Sequence, residues 1–327
     1  MKKFTLCVAG LACTILVGHG YASAQSSKAI SDPSPRRFRE ASNLPDLSGL
    51  VWLEGNRFLA VHDAKIEGEL ANPRVSLIEL PVNSKGVRWQ ERTVKFHDLK
   101  SNDLESAARI PGTLDVLLVE SGDSLDDPAF QRIFKARVVG DSVQIVATAQ
   151  WPVPIHNVEA SAVAAFGTHS VFLFAERAQN LPSTELRWAL FDPDTLRFGS
   201  FSSVTFPNPN PAAFNRPLVA MDVDSVGQIY IVAAFDAEAA GMLDPDNGPF
   251  ASAVYRVGVV TESFGIPVVR LFDSPELKGM MDGFKVESVA IREDAERGLQ
   301  IFIGLDDENY GATLRLLPPP PQDLSHR

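Results

Sequence analysis

The chain has 327 residues, with 41 acidic and 30 basic side chains and a formal net charge of −11. An acidic surface repels nucleic acid and anionic lipid, so neither is an expected partner, and it suits cations or basic ligands. The only cysteines are Cys7 and Cys13, which excludes a disulfide framework as the organising feature.

Residues 1–24 read as a secretory signal peptide. Lys2 and Lys3 form a basic head, Phe4 to Gly18 is an apolar run short for a membrane span, and Ala22-Ser23-Ala24 offers small residues for cleavage before Gln25. The expected location is periplasmic or secreted, with no membrane span after signal removal. Cleavage also removes both cysteines and leaves a net charge of −13. Residues 25–43 form a Ser- and Pro-rich leader followed by a short strand candidate, Arg36 to Ser42.

From residue 44 to 317 one plan recurs. A short apolar strand is followed by a polar turn, a second apolar strand and then acid. Taking Ser48, Glu105, Glu159, Val219 and Glu287 as equivalent, the intervals are 57, 54, 60 and 68 residues. A β-rich unit repeating on this scale is the mark of a radial array. The runs are too short and too rich in Val, Ile, Leu and Phe for helices.

The first unit predicts strands at 47–53, 58–62, 75–80 and 92–96; the second at 104–110, 116–120, 132–138 and 143–149. The third predicts 158–164, 171–175, 186–191 and 201–206; the fourth 218–223, 229–233, 253–258 and 268–272. The fifth has 286–292, 299–304 and 313–317, then Pro318 to Pro321 open a Pro-rich tail, 318–327, that cannot supply ladder donors. The expected fold is an all-β, five-bladed β-propeller, with Arg36 to Ser42 supplying the missing strand and closing the ring.

In such a blade the start of the first strand and the end of the second lie on one face near the axis. Asp46, Asp103, Glu105, Glu159 and Glu287 stand at the starts of first strands, while His62, Asp63, Glu120, Asp123, Glu176, Asp236, Asp306, Asp307, Glu308 and Asn309 follow or end second strands. Carboxylates that converge repel one another unless a cation sits among them. An oxygen-rich site without cysteine suits calcium, with Glu105, Glu159, Glu287, Asp307 and Asn309 as ligands. His62 and His156 are the histidines placed to accept a proton. The blander reading has the acids solvating loops or bonding neighbouring blades, with Lys65, Arg109, Arg177 and Arg292 neutralising them. Trp52, Trp89, Trp151 and Trp188 read as blade packing.

The run Val286-Glu287-Ser288-Val289-Ala290, followed by Asp306-Asp307-Glu308-Asn309-Tyr310-Gly311, resembles secreted bacterial propellers of the phytase-like (esterase-like phytase) group. That resemblance implies an exported propeller with a calcium-compatible axial site and hydrolysis of an ester or phosphoester. The competing expectation is a non-catalytic propeller that binds a small ligand or an envelope protein, with the loop from Phe235 to Pro249 in the contact surface. A glycosidase built on paired carboxylates is a third.

Overall fold

A computed structural model describes residues 47–63, 75–80, 101–123, 128–237, 250–306, 312–318 and 320. Within them the strands form five antiparallel sheets, each taken up in chain order. The first holds β1 (Gly49–Glu54), β2 (Arg57–Val61) and β3 (Val75–Glu79). The second holds β4 (Leu104–Arg109), β5 (Asp115–Glu120), β6 (Arg132–Val139) and β7 (Ser142–Gln150). In the third, β8 (Val158–Phe166), β9 (His169–Glu176) and β10 (Ser183–Asp192) are followed by β11 (Arg197–Phe198) and β12 (Ser202–Pro207), both paired with β10. The fourth holds β13 (Arg216–Val223), β14 (Gln228–Phe235), β15 (Ala251–Ser263) and β16 (Ile266–Asp282); the fifth holds β17 (Val286–Asp294), β18 (Gly298–Asp306) and β19 (Ala312–Leu316).

Local sequence explains most of these elements. Second strands such as Val116-Leu117-Leu118-Val119 and Val171-Phe172-Leu173-Phe174 are apolar on both faces because neighbouring blades cover both. Tight turns return the chain, with Gly167 at φ 57° between β8 and β9. The fourth sheet departs from expectation. β15 and β16 run for 13 and 17 residues, well past Gly258 and Phe272. The strand expected at 268–272 continues through Asp273-Ser274-Pro275, because β16 is an edge strand, where proline's missing N–H costs no ladder bond. Register shifts between Val254 and Tyr255, and between Arg256 and Gly258, let the long hairpin keep pairing as it bends.

Each sheet packs on the next through its own apolar core. The first and second share Leu59, Val61, Leu118 and Phe134; the second and third share Ile133, Trp151, Phe172 and Phe174. Leu173 and Trp188 meet Leu218 and Ile231; Val232 and Val254 meet Ile291 and Ile303. A fifth core joins the last sheet to the first, with Ala290, Phe302 and Leu314 against Leu50, Phe58 and Ile78. An open row of five sheets has four interfaces, so this fifth core means that the blades close into a ring, a five-bladed β-propeller. At the seam Ser288 Oγ donates to the Leu47 carbonyl at 2.8 Å. A side chain at Gly304 would come within 2.1 Å of that hydroxyl, so the seam requires glycine there. The expected closing strand, 36–42, and the strand expected at 92–96 lie outside the described residues.

The first strands β1, β4, β8, β13 and β17 neighbour one another in turn around the axis. Small residues let them approach: Ser106 Oγ and Ser161 Oγ are 2.8 Å apart, and a side chain at Gly49 would press on the Ala107 backbone. Between Ser48, Gly49, Ser106, Ala220 and Ser288 the channel narrows to a void of about 10 Å³, scarcely one water. The axis therefore has two separate mouths.

Candidate functional site

At one mouth the first strands begin. β4, β8 and β17 each carry a register shift at their second residue, between Leu104 and Ser106, Val158 and Ala160, and Val286 and Ser288. The extra residue at each bulge is Glu105, Glu159 or Glu287, which re-aims it out of the ladder. The residues before β4 and β8, Asp103 and Asn157, are left-handed at φ 54° and 55°, a conformation that Asp and Asn tolerate best after glycine.

The fourth blade breaks the pattern. Its shift lies between Arg216 and Ala220, and it contributes an arginine instead of a glutamate. Arg216 is 3 % exposed. Its guanidinium donates to Glu159 in a short contact, to Glu287 at 2.8 Å and to Asp236 at 3.3 Å. Arg177 adds contacts to Glu159 at 3.4 Å and Asp236 at 3.7 Å, and Lys285 lies 3.4 Å from Glu287. Burial pulls the Arg216 guanidinium down, but Glu159, Glu287 and Asp236 more than reverse this and hold it above its ordinary range.

Across the rim a second group of acids gathers. Asp63, Asp103 and Glu105 offer carboxylate oxygens within 4.8 Å of one another, an acidic triad that could hold a metal ion. Ser121 Oγ donates to Asp103 in a short contact, and the Ser121 N–H donates to its carbonyl at 2.9 Å, which fixes this residue. No hydrogen bond or ion pair reaches the Glu105 carboxylate among the described residues. Burial pushes its pKa well above the usual carboxylate range, and Asp103, Glu159, Asp63 and Glu287 all push it the same way. At Glu159 burial also raises the carboxyl, but Arg216 and Arg177 pull it back.

The structure thus divides the residues singled out by sequence. Glu159 and Glu287 meet on Arg216, whereas Glu105 joins Asp63 and Asp103. Asp307 and Asn309 lie outside the described residues. His62 is fully enclosed, its Nε2 2.8 Å from Ser76 Oγ. His156 is exposed in the loop before β8, and its backbone N–H donates to Glu176 at 2.7 Å. Glu120 is buried against Arg132, which grips both its oxygens at 2.9 and 2.7 Å. Of the bases expected to neutralise this rim, Arg177 does so. Arg109 ends β4, at the opposite mouth, and Arg292 binds Asn56 and Asp294 at 2.8 Å. Arg216 is the residue that sequence reading missed; its signal was a basic side chain in the one blade of β4, β8, β13 and β17 that lacks the glutamate.

No family model matches the chain, and no curated protein does. Among solved structures it is similar to an exo-1,5-α-L-arabinanase from a bovine ruminal metagenomic library, at 9 % identity over 83 % of this chain and 93 % of that one, with a TM-score of 0.47. An α-L-arabinofuranosidase from Clostridium thermocellum ATCC 27405 shares 12 % identity over 87 % and 97 %, with a TM-score of 0.45. A protein from Thermus thermophilus, described as a putative oxidoreductase (glucose dehydrogenase), shares 12 % over 85 % and 98 %, at 0.40. These likenesses are too distant to bear on chemistry, and one fold hosts many activities.

Proposed function

We propose that the protein is an exported propeller that binds a divalent cation, calcium, at Asp63, Asp103 and Glu105, and that this site hydrolyses a small ester or phosphoester in the manner of the phytase-like group. The observation that carries this reading is the Glu105 carboxylate, desolvated on a half-buried residue at the mouth, surrounded by acids and met by no base among the described residues. A cation would offset the repulsion gathered at Glu105, and three hard oxygen donors suit calcium. Held by Asp63, Asp103 and Glu105, a cation would supply Lewis-acid chemistry toward a phosphoryl or carbonyl oxygen and a bound water. The chain's own part is to hold the acids: Ser121 fixes Asp103, and the bulge presents Glu105. His156 is the exposed histidine of this rim and takes the role of proton acceptor; His62, held by Ser76, steadies the loop that carries Asp63.

The test is metal analysis of the purified protein together with a screen of aryl-ester, lactone and phosphoester substrates, for the unaltered chain and Glu105→Gln. Bound calcium with turnover that Glu105→Gln loses while staying folded supports the reading; no metal and no turnover remove it. One observation favours a second reading, a propeller that binds an envelope protein or small ligand without chemistry. Arg216 fills half of the rim and leaves Glu159, Glu287 and Asp236 committed to it. Calcium binding without turnover on any substrate would select that reading.

A further inference from the structure

At the other mouth the first strands end, around a cavity of about 460 Å³ lined by Trp52, Arg109, Val163, Asp222, Ile291 and Glu293 among others. Every first strand contributes to it, and its size falls in the range of small-molecule sites. We propose that this cavity binds a small zwitterion of the α-amino acid class, with Arg109 receiving its carboxylate and Asp222 its ammonium group.

The argument starts from a charge pair held apart. Arg109 and Asp222 face the same cavity and interact electrostatically, yet no ion pair joins them among the described residues. Arg109 Nε donates to the Thr113 carbonyl at 3.1 Å, and its guanidinium lies over Trp52, 5.0 Å from the ring centroid. That leaves its two terminal nitrogens as donors for the cavity. Asp222 accepts the Val223 N–H at 2.8 Å through one oxygen and the Ile291 N–H at 2.6 Å through the other. Each oxygen keeps a further lone pair. Burial pushes this carboxyl up to about 7, against the pull of the two N–H groups and Arg109. A ligand ammonium supplies the charge that ionised Asp222 wants.

The remaining charges narrow the class of ligand. Asp224 is occupied by the Val226 and Gln228 N–H groups and by Tyr230, and Glu293 by Ser225. They repel a plain anion, and a plain cation leaves the two terminal nitrogens of Arg109 without an acceptor. A molecule with both charges is matched at both ends, and its side chain meets Val163, Ile291 and the Trp52 ring. The site stands apart from the acidic rim, beyond the constriction in the channel, and does not depend on the cation reading.

The experiment is isothermal titration of the full chain with a panel of common L-amino acids, followed by the N-acetyl and amide derivatives of each that binds. At least one amino acid is expected to bind, with each single-charge derivative roughly tenfold weaker or worse. Arg109→Met and Asp222→Asn should each weaken binding by roughly tenfold or more. If neither variant folds, the derivative series on the unaltered protein decides. The proposal is overturned if no amino acid binds, if the derivatives bind equally well, if a folded variant keeps full affinity, or if glucose or myo-inositol binds where the amino acids do not.

Discussion

Glu105 and Glu159 occupy the same bulge on neighbouring first strands, but among the described residues one meets no base and the other grips a buried arginine. Arg177, in the same blade as Glu159, adds to the difference from 3.4 Å, but the larger part comes from β13, which sends Arg216 toward Glu159, Glu287 and Asp236, out of contact with Glu105. A repeat therefore sets where a side chain stands on the axis, while its charge state depends on which other blade reaches it. One half of the rim is a closed structural network; the other is an acidic cluster able to take a cation.

The largest expected effect breaks the closed half. Arg216→Met leaves Glu159, Glu287 and Asp236 buried without the guanidinium they share, and should cost about 3–5 kcal/mol in urea unfolding. Adding Glu159→Gln and Glu287→Gln to that variant should recover much of the loss, since the unpaired charges go with them. An unchanged unfolding midpoint for Arg216→Met would mean that the two halves are not different after all.

Calcium probes the other half. At a hundredfold excess over its dissociation constant it should add about 2.7 kcal/mol to stability, read as a rise in melting temperature. Glu105→Gln should abolish the rise and Glu159→Gln should retain it. Equal sensitivity of the two variants would place the ion elsewhere on the rim.

Without metal, the same two substitutions should differ in sign. Glu159→Gln removes a charged partner from buried Arg216 and should destabilise by about 1–3 kcal/mol. Glu105→Gln removes a desolvated charge that its neighbours repel, and should stabilise by about 1 kcal/mol. Parallel denaturant titrations in chelator decide between these outcomes.

Asp222, at the far mouth, sharpens the contrast by pH. Its folded pKa, near 7, lies above the ordinary value of 3.8, so the native state holds this proton more tightly than the unfolded chain. Its contribution is fully present below the unfolded value and is lost as pH rises through the folded one. It should lower stability across that window by up to about 1.4 kcal/mol per pH unit. Asp222→Asn should flatten this slope; a slope identical to that of the unaltered protein would show that Asp222 is not its source.

Much of the architecture was readable because its causes are local. Val116 to Val119, Val171 to Phe174 and Ile301 to Ile303 are apolar runs of strand length, turn residues punctuate them, and the recurrence from Ser48 to Glu287 counts the blades. The same recurrence put Glu105, Glu159 and Glu287 at one mouth. The full length of β16 escaped, because a strand at an edge tolerates Pro275 and polar neighbours beyond the apolar run at 268–272. Trp52 read as packing but lines a cavity beneath Arg109, since whether an aromatic ring is covered depends on the blade beside it. The pairing of the rim was decided by tertiary structure alone. Arg216 lies 57 residues from Glu159 and 71 from Glu287. No spacing rule joins them, because their contact exists only once β8, β13 and β17 stand side by side around a closed ring.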